Sequence, residues 1–370
     1  MKAPQQKLAK APKLFITDCE GPISKNDNAY ELTEFFVPRG DAFFALISKY
    51  DDVQADITKR LGYNAGDTLR LILPFLKAYG VTNEKIRKFS AENVLLVPGA
   101  KGTLQFVKDS MPSFIVSTSY EQYIHALCDV VDFPKSNVYC TRLNLDKYKM
   151  NQNEAKRLKK LREEIVAMPM IHIPQGARSL ADFSARDQET IRKLDEIFWE
   201  EISLKECGKM LEEVNPINGF EKAKAVEEIV EKTESDLCNV MYVGDSITDI
   251  QSFHLVRENG GLTVSFNGNA YAIRETEIAV LSDNTIVTSI LADVFSSFGK
   301  DYVMRMVEKW SHSALKRFYV SPKLLSRILK LYPKVLPQVE IISPGNSERL
   351  TRESCDFRKT VRGEAIGKLG

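Results

Sequence analysis

The stretch Met241-Tyr-Val-Gly-Asp-Ser-Ile-Thr-Asp249 decides the fold of this chain. A short apolar run ends in Gly244-Asp245-Ser246, and a second carboxylate, Asp249, follows four residues after the first. This pattern predicts a buried strand, a tight turn and the start of a helix. It would place two carboxylates at the carboxyl end of a parallel sheet, where open α/β folds bind ligands. Such carboxylates suit a hard cation such as Mg²⁺, which takes oxygen ligands and often shares them with a phosphate.

A second segment, Leu14-Phe-Ile-Thr-Asp18-Cys-Glu20, is also an apolar run that ends in two carboxylates. Asp18 is the candidate nucleophile, because an aspartate can attack phosphorus and form an aspartyl-phosphate. Glu20 could protonate the leaving oxygen and later activate water, first as general acid and then as general base. A strand-end turn carrying two solvated acids is the alternative. Together, the two segments favour metal-assisted phosphoryl transfer over other chemistries.

Three further side chains are candidates for binding a phosphate. Ser117 ends the apolar run Phe114-Ile-Val-Ser117, and Thr118 follows it. Hydroxyl and backbone N–H groups at a helix start suit phosphate oxygens, although simple capping of the next helix would use the same residues. Lys222 could neutralise charge on the nucleophile and the phosphate. A surface lysine is its alternative reading, and Lys224 is the competing choice.

The candidate metal ligands are carboxylates from both acidic segments: Asp18, Glu20, Asp245 and Asp249. One carboxylate of the second pair would bind Mg²⁺ directly, and the other would bind it directly or through water. The alternative for Asp245 and Asp249 is a helix start that carries acids because they interact favourably with the helix dipole.

Composition places the chain among ordinary globular proteins. It has 370 residues, 44% hydrophobic and 27% charged, with a formal net charge of +1. No bulk charge therefore points to nucleic acid. The six cysteines show no zinc-type spacing, and they fit free thiols in a reducing compartment. Residues 1–13 lack the apolar segment of a signal peptide, and no apolar run is long enough to span a bilayer. We therefore expect a cytoplasmic protein that acts on a small phosphorylated substrate. Binding of a protein partner is left open.

Strand-like and helical segments alternate along much of the chain, which predicts a doubly wound, mostly parallel α/β sheet of Rossmann-like type. Residues 13–26, 94–141 and 216–300 are expected to form this core. Residues 27–93 are expected to form a helical cap, and residues 142–215 a second, mainly helical insertion. The expectation for residues 301–370 is a helical extension and an irregular tail.

The order Asp18-Cys-Glu20, Ser117, Lys222 and Gly244-Asp245-Ser-Ile-Thr-Asp249 resembles that of the haloacid dehalogenase (HAD) superfamily, and most closely its phosphoserine-phosphatase-like members. The resemblance covers about half the chain. It implies a Rossmann-like core, a Mg²⁺ cofactor and phosphatase activity. It also implies that Asp18 is the nucleophile and a metal ligand, that Ser117 and Lys222 bind phosphate, and that Asp245 is the main metal ligand with Asp249 in support.

Glu20 departs from that family, whose phosphatases usually carry aspartate at this place. The longer side chain moves the carboxyl group by roughly 1.5 Å, about one C–C bond length, and a shift of that size can cost on the order of a hundredfold in rate. Three outcomes are open: the loop has adapted to glutamate, the enzyme is slow, or only phosphate binding remains. The form Asp18-Cys-Glu20-Gly-Pro22 also resembles archaeal HAD-like proteins encoded with energy-converting hydrogenases. The second hypothesis is therefore a binding or accessory protein with little turnover.

Overall fold

The computed structural model describes residues 11–367, and within this range it contains a seven-stranded sheet. The strands are β1 (Leu14–Thr17), β2 (Ser113–Tyr120), β3 (Val138–Thr141), β4 (Val240–Gly244), β5 (Leu262–Phe266), β6 (Ile278–Leu281) and β7 (Gln338–Ile341). They lie in the order β3-β2-β1-β4-β5-β6-β7. Strands β1 to β6 run parallel, and β7 runs antiparallel to β6. The predicted α/β fold with a mostly parallel sheet is confirmed.

Helices cover both faces of this sheet. The helices of the core are α6 (Ala100–Ser110), α7 (Glu121–Val131), α11 (Gly219–Lys232), α12 (Ile250–Glu258), α13 (Ala270–Glu275) and α14 (Ile286–Phe298). On the central strand, Leu14 and Ile16 pack in one apolar cluster with α11 and α12, while Phe15 packs in another with α6 and α14. Strands buried on both faces read as continuous apolar runs, which is why β1 and β4 are recognisable in the sequence.

The two insertions are helical and pack together. The first contains α1 (Asn28–Phe36), α2 (Gly40–Asp52), α3 (Thr68–Leu71), α4 (Leu73–Ala78) and α5 (Asn83–Glu92), and the second contains α8 (Gln152–Ala167), α9 (Ala185–Asp195) and α10 (Lys209–Glu213). A single apolar cluster joins them, and the Tyr50 and Phe198 rings stack within it at 5.8 Å. We call α1–α5 and α8–α10 the helical unit.

The C-terminal part contains more helix and strand than its sequence predicts. After α15 (Lys300–Val307), α16 (His312–Arg317) and α17 (Pro322–Leu331), the chain forms β7, then α18 (Ser347–Arg362) and α19 (Glu364–Gly367). The expected irregular tail is therefore wrong up to residue 367. The reason lies in the buried residues of α18, which are Leu350, Ser354 and Arg358. A stripe with one apolar side chain in three gives no hydrophobic periodicity.

The structure also bears on membrane-spanning helices and on the state of the cysteines. Along residues 11–367, no helix combines the length and the apolar character that a bilayer crossing requires. All six cysteines are free thiols, as their spacing predicts. The expectation that residues 1–13 are no signal peptide, and the end of the predicted tail, fall mostly or wholly outside the described residues.

Candidate active site

The carboxyl ends of three neighbouring strands bring the predicted residues together. Asp18 follows β1, Ser117 lies on β2 and Asp245 follows β4, and β1 lies between the other two strands. Asp18, Asp245 and Asp249 each offer a carboxylate oxygen, and these oxygens lie within 4.8 Å of one another. The site is thus built at the point where the chain crosses from one side of β1 to the other, as in other open α/β sheets.

Lys222 on α11 lies beneath this cluster and is completely buried. Its Nζ atom is 2.9 Å from Asp18 Oδ2 and 2.8 Å from Asp249 Oδ1. Burial alone lowers the pKa of Lys222, but the two carboxylates outweigh it and raise the pKa above its usual value. The lysine therefore stays charged although it is buried, and its burial rules out the alternative reading as a surface residue. Lys224, the competing choice, is exposed.

Asp249 is surrounded by donors. Its Oδ1 accepts hydrogen bonds from Lys222 and from the Tyr242 hydroxyl at 2.9 Å, and its Oδ2 accepts from the backbone N–H groups of Asp245 at 3.0 Å and Ser246 at 3.1 Å. Ser246 and Asp249 also form a capping box at the start of the helical turn after β4. The helix-start reading of this aspartate therefore holds alongside its place in the carboxylate cluster.

Asp18 combines near-complete burial with a cationic neighbour. Its Oδ1 accepts a hydrogen bond from the Cys19 backbone N–H at 2.6 Å, and its Oδ2 pairs with Lys222. Burial raises the pKa of Asp18 to about 7, and the Lys222 charge opposes that rise, while Asp249 and Asp245 add to it. Lys222 is thus the side chain that favours the ionised form of Asp18.

Ser117 and Thr118 do not cap the following helix. Strand β2 continues to Tyr120, which is the N-cap of α7 and gives no side-chain cap. The Ser117 hydroxyl contacts that of Ser119 at 3.2 Å, and the Thr118 Oγ1 is buried without a hydrogen-bond partner among the described residues. Both residues line the same cavity as Asp18 and Asp245. The Thr118 hydroxyl is available to a ligand oxygen, and the Ser117 hydroxyl would reach one by turning away from Ser119.

Glu20 lines the cavity but stands apart from the three clustered carboxylates. Its Oε1 accepts a hydrogen bond from the Asn28 backbone N–H at 2.7 Å. Burial and the nearby charge of Asp27 raise the pKa of Glu20 well above its usual range. The next residue, Gly21, has φ +105°, and a Cβ atom there would lie 2.1 Å from Asp245 Oδ2. Only glycine lets this loop approach the carboxylate so closely.

The helical unit closes the cavity from the side opposite the sheet. Ser48, Asp51, Asp52 and Thr68 line it. A Cβ atom on Gly66 would lie 3.2 Å from the Thr118 methyl group and 3.1 Å from that of Thr248, so the chain before α3 touches the loops of the core. Asn218 Nδ2 also donates to Asp67 Oδ1 at 3.2 Å across the same junction. This contact encloses the carboxylates and limits their access to water.

Two functional candidates were missed in the sequence. Arg358 and Arg362 of α18 line the cavity and contact Asp245 Oδ2, Arg362 at 3.2 Å through Nη1. Their side chains are 5% and 4% exposed. In the sequence they lie in a run of charged residues far from every strand motif, so only their four-residue spacing, which puts them on one helix face, could have suggested a shared target.

The donor set fits a hard divalent cation. Three carboxylates from Asp18, Asp245 and Asp249 converge among oxygen-rich surroundings, and oxygen donors of this kind are those that Mg²⁺ prefers. Asp249 is the most fully engaged of the three because four protein donors already reach it. Asp18 and Asp245 are therefore the better direct ligands, and Asp249 fits a supporting position.

The solved structures that resemble this chain include one match over nearly its whole length and several partial ones. A gene product of Archaeoglobus fulgidus is 26% identical to this chain, with a TM-score of 0.79 and coverage of 97% of this chain and 99% of that chain. The likeness therefore extends from the sheet to the helical unit and the C-terminal part. Two phosphoserine phosphatase structures have a TM-score of 0.43 at 14% and 13% identity, each covering 76% of this chain and 98% of the other. A likeness at that level does not bear on function. No protein-family model and no curated protein matches the chain.

Proposed function

We propose that this chain is a Mg²⁺-dependent phosphatase of the HAD type that hydrolyses a small phosphomonoester through an aspartyl-phosphate. The observation that carries the proposal is that Asp18 and Asp245 line one cavity, while the buried Lys222 pairs with Asp18 from beside it. A carboxylate nucleophile, a buried cation and a metal-type carboxylate are the parts that phosphoryl transfer requires. The order of these residues along the chain supports the same conclusion.

In the first step, an Asp18 oxygen attacks phosphorus and the bond from phosphorus to the leaving oxygen breaks. Glu20 gives its proton to that oxygen, so the product leaves as an alcohol. The raised pKa of Glu20 favours the protonated form that this step needs. Lys222 holds Asp18 in place and balances negative charge that builds up on the phosphoryl group. Ser117 and Thr118 donate hydrogen bonds to phosphoryl oxygens.

In the second step, Glu20 accepts a proton from water, which attacks phosphorus and releases phosphate and free Asp18. Mg²⁺, held by Asp18 and Asp245 with Asp249 in support, would supply charge stabilisation to both steps. The proposed cap is the first insertion, residues 27–93, which packs against the insertion 142–215 in the helical unit. Its contacts at Gly66 and Asp67 would keep bulk water from the aspartyl-phosphate until the alcohol has left.

The test is hydrolysis of p-nitrophenyl phosphate with Mg²⁺ and with a chelator. We expect turnover only with Mg²⁺, and none from Asp18→Asn in either buffer. A matched variant is Asp56→Asn, since Asp56 is exposed on the helical unit and does not line the cavity. Absence of turnover in the wild type, combined with Mg²⁺-dependent binding of vanadate, would instead support the accessory-protein alternative.

A further inference from the structure

Helix α18 carries two arginines into the cavity from the far end of the chain. The Arg358 and Arg362 side chains are 5% and 4% exposed. Burying a guanidinium group is costly unless its charge and its donors are matched. A stretch that served only to cover the sheet would gain more from apolar residues at these two positions. The pair therefore points to a task inside the cavity.

The two arginines differ in how fully their donors are used. Arg362 is anchored by the chain itself, because it donates to the Lys25 carbonyl at 3.1 Å and to the Asn26 carbonyl, besides contacting Asp245. Among residues 11–367, Arg358 has a single hydrogen bond, from Nη1 to Asp245. Its Nε is buried and has no partner in that range. Arg358 is thus a positioned guanidinium with a donor to spare.

The arginines lie on a different side of the site from Lys222. Lys222 contacts Asp18 and Asp249, whereas the arginines contact Asp245. Arg362 donates to the Lys25 and Asn26 carbonyls, and Glu20 accepts from the Asn28 N–H of the same loop, so both side chains line one part of the cavity. Glu20 is the proposed acid for the leaving oxygen. The arginine pair is therefore close to the part of a substrate that departs.

The position of the arginine pair is distinctive because the charged side chains on the rest of the cavity wall are acidic. Within the described part of the chain, Arg358 and Arg362 are the only cationic side chains that line the cavity, while Glu20, Asp27 and Asp51 are among its acids. An anionic leaving group would be repelled everywhere in this cavity except near the arginine pair. The planar fork of a guanidinium matches carboxylate and phosphate oxygens in pairs.

We propose that Arg358 and Arg362 form a second anion subsite, so that the preferred substrates are phosphomonoesters whose leaving group carries a carboxylate or a second phosphate. The inference rests on the proposed phosphatase function, because it takes the phosphoester end of the ligand to lie at Asp18. It assigns helix α18 to substrate selection. Arg358 supplies the free donor, and Arg362 supports it from a fixed position.

The experiment is calorimetric titration of the full chain in Mg²⁺ buffer with three phosphonates that cannot be hydrolysed. Propylphosphonate has one anionic end, 3-phosphonopropionate adds a carboxylate, and propane-1,3-diphosphonate adds a second phosphonate. We expect the wild type to bind at least one of the doubly anionic ligands about tenfold more tightly than propylphosphonate, as hydrogen bonds to charged groups suggest. Whichever gains more identifies the source of the second charge.

Variants then assign the gain to the arginines. Arg358→Gln and Arg362→Gln should bring the three affinities to within about twofold of one another, while propylphosphonate still binds. Arg352→Gln is the control, since Arg352 is exposed on the same helix, and it should keep the wild-type preference. Thermal unfolding checks that each variant is folded, and equal binding of the three ligands by the wild type would overturn the inference even if a variant is not.

Two results would overturn the inference and leave the phosphatase proposal standing. One is equal binding of all three ligands by the wild type. The other is a preference for the doubly anionic ligands that survives in Arg358→Gln and Arg362→Gln. Failure of the wild type to bind any of the three in Mg²⁺ buffer would be a separate result, because it would overturn both the inference and the proposed function.

Discussion

The lysine side and the arginine side of this cavity hold cations in contrasting ways. Lys222 is wholly buried and divides its charge between Asp18 and Asp249, and Asp249 in turn receives donors from Tyr242 and two backbone groups. Arg358 reaches a single carboxylate oxygen and keeps an unpartnered Nε among residues 11–367. One side is a closed network, and the other retains hydrogen-bonding capacity.

The two sides of the cavity therefore suit two different tasks. A closed network keeps its atoms in one arrangement, which suits groups that must be positioned before the chemistry begins. Donors left free in a buried place carry an energetic cost, and a ligand that accepts from them removes it. We therefore assign the lysine side to the reaction and the arginine side to recognition of the leaving group.

The largest effect should come from Asp18, on the lysine side. Asp18→Asn removes the nucleophile, and turnover of p-nitrophenyl phosphate should fall by on the order of a thousandfold or more. The fold should survive because asparagine has the same shape, and thermal unfolding checks this. Turnover close to that of the wild type would mean that another group attacks phosphorus.

Lys222→Met tests whether the lysine side is a closed network. The variant leaves the buried Asp18 and Asp249 carboxylates without their shared cation, so the free energy of unfolding should fall by about 3–5 kcal/mol. Lys224→Met is the matched control, and because Lys224 is exposed its effect should stay within about 0.5 kcal/mol. Urea unfolding measures both. Equal, small losses would show that Lys222 does not hold the network together.

Variants of Glu20 test the proton transfer that we place near the arginine side of the cavity. Glu20→Ala should lower kcat by about a hundredfold, while calorimetry should find phosphate and Mg²⁺ binding nearly unchanged. Glu20→Asp should also lower kcat, by on the order of tenfold, because the shorter side chain would give up the 2.7 Å contact with Asn28 N–H. A rise in kcat for Glu20→Asp would instead indicate a loop that still has aspartate geometry.

A smaller effect is expected from Asp51, on the helical unit, in the way the free energy of unfolding depends on pH. Burial and the Asp67 charge raise the pKa of Asp51 from its usual value of 3.8 to about 8. Between these two values the folded chain holds a proton that the unfolded chain releases, so this group's contribution to stability is lost as pH rises toward 8. Asp51→Asn should match the wild type near pH 4 and exceed it above pH 8 by about 1–3 kcal/mol. Parallel stability curves for the two proteins would disprove the shift.

The parts of the site that the sequence could predict are those that follow buried strands. Asp18 and Asp245 each come directly after an apolar run, and parallel strands bring such positions to one edge of the sheet. Lys222 could be chosen over Lys224 only through its place in the order of motifs, since neither has a distinctive local pattern. The structure separates them by burial.

The rest depends on how distant segments dock. Arg358 lies 113 residues from the carboxylate that it contacts, and the buried stripe Leu350, Ser354, Arg358 carries no apolar repeat. Likewise, the shared core of the two insertions follows from contacts such as Tyr50 with Phe198, which helical periodicity within either insertion does not reveal. Local patterns predict elements, whereas their pairing requires the whole fold.

A crystal structure of the chain with Mg²⁺ and beryllium fluoride tests the central claim most directly. Beryllium fluoride bound to a carboxylate mimics an aspartyl-phosphate. We expect beryllium joined to a carboxylate oxygen of Asp18, with Mg²⁺ at about 2.0–2.1 Å from oxygens of both Asp18 and Asp245. Beryllium bound to any other residue, or a cation that Asp18 and Asp245 do not share, would contradict it.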